Sequence, residues 1–141
     1  MMAAPPSPRP GPVTDEDSGN FWMGVRRHEL LLQRCDACGA VRFPPGPRCL
    51  ECASDAATLE PSSGAGTVYS WIRVERPVGS IRPEEVPLAF VTVELDEGPR
   101  MVGRWADGGE VAIGERAGVL FMDWSDWTEV RFGPESEMAT S

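Results

Sequence analysis

Two C-x-x-C pairs on a hairpin-sized spacing, followed by five short alternating apolar stretches separated by turn residues, predict a mainly β chain. It should carry an N-terminal helix, a zinc ribbon and a C-terminal five-stranded barrel of the OB type. At 141 residues the chain is one domain, or one small domain with a metal-stapled appendage.

Residues 1–14 are proline-rich (Pro5, Pro6, Pro8, Pro10, Pro12) and read as disordered. Residues 15–32 read as a helix and a lead-in strand. Thr14 to Asn20 supply cap candidates and early acidic residues. Phe21, Trp22 and Val25 follow at helical spacing, and the helix is expected to run to Leu30, with Gly24 weakening it. Leu30 to Arg34 then reads as a strand leading into the first knuckle.

The ribbon is expected over residues 33–56. Cys35 and Cys38 are separated by ten residues from Cys49 and Cys52, and these are all the cysteines of the chain. Four thiolates around a tetrahedral Zn²⁺ make a closed, structural site without an open coordination position. Iron suits four thiolates equally; an iron protein of this kind would purify red and transfer electrons. Two disulfides would require an oxidising compartment, whereas Met1-Met-Ala-Ala-Pro-Pro6 has no apolar core of a signal peptide. The expected setting is cytoplasmic, with no membrane contact.

The barrel is expected over residues 57–132 and a disordered tail over 133–141. Val68, Ile72 and Val74 alternate with Tyr69, Trp71 and Arg73. Ala89, Val91, Val93 and Leu95 share a face in the strongest strand, 88–95, which should pair with 100–105 across the turn Asp96-Glu-Gly98-Pro99. Asp107-Gly-Gly109 marks another turn, and two further strands cover 118–124 and 128–132.

Net charge is −9 and lysine is absent, all thirteen basic residues being arginine. An acidic chain is a poor binder of nucleic acid, and no Schiff base can form without lysine. Arg26, Arg27, Arg34, Arg42 and Arg48 face only Glu29 and Asp36 in their segment, a surplus of three positive charges. Two readings stand: the arginines offset the thiolates of the metal centre, or Arg26, Arg27, Arg42 and Arg48 form an anion site suited to phosphate.

Catalytic equipment is sparse. His28 is the single histidine; it is a general base or a surface residue, and no acid or nucleophile is visibly linked to it. No catalytic residue is assigned. Trp124 and Trp127 straddle a turn, and Phe21 and Trp22 adjoin a disordered start. Each either fills the core or meets a partner.

Particular strings then carry a resemblance. They are Phe21-Trp22-x-Gly24, Leu30-Leu31-x-Gln33-Arg34-Cys35-x-x-Cys38-Gly39, Phe43-Pro44-Pro45-x-Pro47-x-Cys49-x-x-Cys52, Gly64-x-Gly66-Thr67-Val68-Tyr69-Ser70 and Val93-Glu94-Leu95-x-Glu97-Gly98. In this order they resemble the OB-fold acyl-CoA-associated proteins with a rubredoxin-like zinc ribbon, formerly a domain of unknown function. The resemblance implies a non-catalytic accessory subunit with structural Zn²⁺, sharing an acyl-CoA ligand with a partner. The implied partners are thiolase-like enzymes of the lipid-transfer type, including retro-aldolases of steroid side-chain degradation, or MaoC-like hydratases. Leu59–Ser63 and Trp124–Trp127 look particular to this chain. The reading of another class is a ribbon-plus-OB nucleic-acid-binding module, which needs a basic groove with stacking aromatics.

Overall fold

A computed structural model describes residues 9–106 and 110–138. The turn expected at Asp107–Gly109 and the expected disorder of residues 1–8 and 139–141 lie outside the described residues.

Helix α1 spans Gly19–Arg26. Asp15 Oδ1 accepts from the Asp17 and Ser18 N–H groups, and Ser18 Oγ accepts from Asp15 N–H, so the entry turn is locked before the helix begins. The helix stops earlier than the apolar spacing suggests. The N–H groups of His28 and Glu29 bond back to the carbonyls of Val25 and Gly24, at 2.8 and 2.9 Å. That pair of bonds is a Schellman-type cap, with His28 in the left-handed conformation at φ 63°. Gly24, a weak helix former, is explained by packing: a Cβ there would lie 2.6 Å from Leu31 Cδ1.

Three antiparallel strands form the ribbon sheet: β1 (Leu31–Cys35), β2 (Val41–Arg42) and β3 (Ala57–Pro61), in the order β2-β1-β3. The sheet thus continues past residue 56. Leu31 pairs with Pro61 and Cys35 with Ala57, so the segment around Leu59 is a strand of the ribbon and not a lead into the barrel. Beyond it, Glu97 receives hydrogen bonds from Ser62 Oγ and Ser63 N–H, both 2.8 Å, which fixes the crossing to the barrel.

The barrel closes as β4-β5-β6-β8-β7 from β4 (Ala65–Val74), β5 (Leu88–Leu95), β6 (Arg100–Trp105), β7 (Arg116–Asp123) and β8 (Thr128–Pro134). All pairs are antiparallel except β6 with β8. A register shift at Tyr69 breaks the alternation expected in β4. Val68 is buried, but Ile72 is 61% exposed, because the bulge turns the outer half of the strand away from the core.

One apolar core serves all the parts. Val68, Val91, Val93, Leu95, Met101, Trp105, Val119 and Phe132 fill the barrel, and Phe21 and Val25 of α1 join them with Leu30 and Leu32. Burial of large apolar side chains on this scale contributes about 1.5–3 kcal/mol per residue.

Both expected disordered ends are ordered where described. Arg9 pairs with Glu85 and its carbonyl accepts from Trp127 Nε1 at 2.9 Å. At the other end β8 runs to Pro134, a 3-10 turn follows over Glu135–Glu137, and Met138 packs against the core. Proline-rich composition signals mobility, but a part-buried ion pair and an indole bond hold the first segment in place.

Candidate metal centre

The two C-x-x-C pairs fold as copies of one turn. In the first, Gly39 N–H bonds to Cys35 O at 2.9 Å and Cys35 N–H to Ala40 O at 2.8 Å. In the second, Ala53 N–H bonds to Cys49 O and Cys49 N–H to Ser54 O, both at 2.9 Å. The residue after each second cysteine is left-handed, Gly39 at φ 80° and Ala53 at φ 67°. The repetition extends to the arginine before each knuckle: Arg34 Nη1 donates to Gly39 O at 2.9 Å and Arg48 Nη1 to Ala53 O at 3.3 Å.

The four sulfurs converge. Cys35 and Cys52 approach to 3.6 Å, as do Cys38 and Cys49, and all four ligand atoms lie within 4.8 Å of one another. A tetrahedral centre with metal–sulfur bonds of about 2.3 Å has sulfur–sulfur edges of about 3.8 Å, so the cluster has the dimensions of a metal site. The cysteines are free thiols, which removes the two-disulfide reading.

Backbone dipoles prepare the cluster for ionisation. The Cys38 N–H, with that of Ala37, lowers the Cys35 thiol to about 6. The N–H groups of Cys52 and Glu51 lower Cys49 in the same way. Against the pull of the Ala40 N–H, the Cys49 sulfur and burial push Cys38 up to about 12. Four thiols held this close do not all ionise without a cation between them. The donor set and spacing fit a closed four-thiolate metal centre.

The remaining candidate residues separate. Arg26 is part of the fold: its guanidinium donates to the carbonyls of Trp124, Trp127 and Ser125 and to Thr128 Oγ1, at 3.0–3.3 Å. Arg27 is exposed and pairs with Glu29. Arg42 donates to Gly46 O, and its Nε and Nη1 are buried without a partner. Arg34 and Arg48 donate to the knuckle carbonyls.

Phe21 offers no surface, being 3% exposed in the core. Trp22 stacks edge-on against it at 5.1 Å between centroids and meets Trp127 at 6.3 Å. Trp124 is buried, its Nε1 bonded to Glu129, and Trp127 is half-buried. The interface expectation for this group therefore rests on Trp22 and Trp127.

His28 does have an acid partner. Its Nε2 lies 2.9 Å from Asp123 Oδ1 and 3.1 Å from Oδ2, and its ring stacks on Phe121 at 4.8 Å. Thr128 Oγ1 donates to the same carboxylate at 2.7 Å. These bonds, from Thr128 first and then His28, hold Asp123 below its ordinary range. Sequence reasoning missed the pair because the partners are far apart along the chain.

Two models of one family match the chain in succession. The ChsH2 rubredoxin-like zinc ribbon domain matches residues 22–58, and the ChsH2 C-terminal OB-fold domain matches residues 59–121. The chain is 37% identical over 126 residues to the 3-oxo-4,17-pregnadiene-20-carboxyl-CoA hydratase alpha subunit of Mycobacterium tuberculosis, covering 88% of this chain and 40% of that protein. It is 38% identical over 99 residues to a probable enoyl-CoA hydratase alpha subunit of Thermomonospora curvata, covering 70% and 30%. A DUF35 domain-containing scaffold protein of Methanothermobacter thermautotrophicus is 28% identical over 104 residues, covering 71% and 77%. The chain thus spans less than half of the two hydratase subunits. Among solved structures, a chain of the Ltp2-ChsH2(DUF35) aldolase superposes with a TM-score of 0.80 at 29% identity, covering 88% of this chain and 98% of that one. With both domain models matched in order on a ribbon and a barrel of the same kind, the chain belongs to the ChsH2 (DUF35) family.

Proposed function

We propose that this protein is a non-catalytic accessory subunit of an acyl-CoA-processing complex. It supports a thiolase-like partner of the lipid-transfer type, in a retro-aldol cleavage of steroid side chains. The observation that carries this reading is the likeness to the aldolase chain, which extends over 98% of that chain. The residues agree: a closed four-thiolate site cannot activate substrate, and no lysine is present for a Schiff base. The metal is proposed as structural Zn²⁺, held by Cys35, Cys38, Cys49 and Cys52. Its role is to fix the ribbon, which has little core of its own.

A second reading is a MaoC-like hydratase as partner, favoured by the names of the two hydratase alpha subunits. The aldolase reading is preferred because the matched part there is nearly the whole relative, against 40% and 30% of the hydratase subunits. In either complex the acyl-CoA is shared with the partner. Arg26, Arg27 and Arg48 are the exposed arginines of the original four; Arg26 is engaged by the turn carbonyls, so Arg27 and Arg48 are the candidates for its phosphates.

The test is co-expression with a thiolase-like and, separately, a MaoC-like subunit, followed by size exclusion. The expected result is one co-eluting complex with the thiolase-like subunit. Separate peaks with both partners would reject the accessory role, and co-elution with the MaoC-like subunit alone would select the second reading.

A further inference from the structure

A cavity of about 480 Å³ lies on the barrel beside α1. We propose that it binds the bulky apolar acyl group of the ligand, with residues 9–12 as a strap that closes it. The inference rests on the acyl-CoA reading above and assigns a part of that ligand to this chain.

The position comes first. OB barrels generally hold ligands on the face of their second and third strands, between the loops joining strands one to two and four to five. Here those elements are β5, β6 and the two loops carrying Ile81 and Trp127, and all four line the cavity. In an open OB groove this face accepts an extended polymer. In this chain Arg9 to Pro12 run across it and turn the groove into a pocket.

The strap is built into the fold. Arg9 O accepts from Trp127 Nε1 at 2.9 Å, the Arg9 guanidinium sits 5.1 Å from the centre of the Trp124 ring, and Arg9 pairs with Glu85. Gly11 lies flat on the Trp127 indole, where a Cβ would come within 2.9 Å of Cγ. Only glycine lets the strap approach that closely.

The lining sets the ligand class. Trp22, Phe43, Phe90, Met101, Val130 and Trp127 make walls that are apolar and mostly aromatic. The volume falls within the range of about 300–1,000 Å³ that encloses small organic ligands. Flat, rigid walls suit a compact ring system better than a flexible chain, which loses more conformational freedom on binding. Among the lining residues, Arg9 and Arg104 both pair with Glu85, and Glu129 lines the cavity as well. With the charges matched, the apolar walls set the preference, which is for a ligand with an apolar body. A nucleic acid has neither the apolar body nor an open groove to enter.

Anilinonaphthalene sulfonate tests this on the full chain, with energy transfer from tryptophan as the signal and adamantane carboxylate or decanoate as displacing ligands. One saturable site per chain is expected, displaced about ten-fold more readily by adamantane carboxylate. Val102→Trp, at an exposed lining position, and Ile81→Trp, from the loop, should each weaken binding about ten-fold, near 1.4 kcal/mol. Metal content and melting temperature serve as controls of folding. Absence of saturable binding, equal displacement by decanoate, or binding unaltered by both substitutions would overturn the proposal. Co-elution with the thiolase-like subunit is measured alongside. A complex that forms without probe binding sinks the cavity alone, and probe binding without association sinks the accessory role alone.

Discussion

His28 occupies a helix-ending position that glycine fills without strain. A left-handed non-glycine residue costs about 1 kcal/mol, and the imidazole compensates through Asp123 and the stack on Phe121. His28→Gly should therefore change stability by less than about 1 kcal/mol, whereas His28→Ala keeps the strain, loses the tie and should destabilise by about 1–2 kcal/mol. Urea unfolding of the two variants separates these outcomes. The pH dependence has a fixed sign. Asp123 is held below its ordinary value of 3.8, so its contribution is present above that pH and is lost as pH falls through the lower, folded value. His28→Ala should weaken that acid limb. The knuckles offer a second residue-scale test: Ala53→Gly should raise stability by about 1 kcal/mol and Gly39→Ala should lower it by as much, read as denaturation midpoints of the metal-loaded protein. The cysteine cluster was legible because both knuckles are local in sequence and chemically specific. The His28–Asp123 pair was not, because β7 reaches the end of α1 only through the closure of the barrel.

Between elements, the contact of α1 with the β7–β8 turn depends on Arg26, whose guanidinium bridges three carbonyls and a hydroxyl. Arg26→Lys supplies a cation but not the fork, and should destabilise by about 1–3 kcal/mol. Thermal melting measures it. The same substitution bears on an expectation from charge alone, that Arg26 binds phosphate; its Nη1 and Nη2 donate to the turn instead. Strand positions were read well where apolar residues alternate without interruption, as in β5. They were misread in β4, where the bulge at Tyr69 ends the alternation and leaves both Trp71 and Ile72 exposed. The helix end was overrun for a similar reason. Apolar periodicity continues through Leu30, but the cap bonds at His28 and Glu29 stop the helix and send Leu30 and Leu32 into the core from β1 and its lead-in. The order of residues 9–14 was invisible because it depends on Glu85 and Trp127, both distant in sequence.

For the whole molecule, the ribbon and the barrel share one core but differ in what holds them. The barrel closes on Val68, Val93, Leu95 and Phe132; the ribbon's far end depends on four sulfurs. Removing the metal with a chelator should raise amide exchange across residues 33–56 first, while β5, β6 and β8 stay protected. Uniform loss of protection would mean that the metal holds the barrel as well. Acid should loosen the strap before the barrel. Glu85, desolvated but held by the Arg82 N–H and by Arg104 and Arg9, is lowered from 4.5 to about 2. Its contribution is complete above pH 4.5 and fades toward pH 2. Trp127 fluorescence should report strap release in that window, ahead of global unfolding.

The central claim is that the chain completes an enzyme without carrying the chemistry, and retro-aldol turnover measures it most directly. A β-hydroxy acyl-CoA is offered to the chain alone, to a thiolase-like partner alone, and to the two together. The account predicts no turnover by the chain, and turnover by the complex well above that of the isolated partner. Turnover by the purified chain alone, lost on His28→Ala, would contradict it.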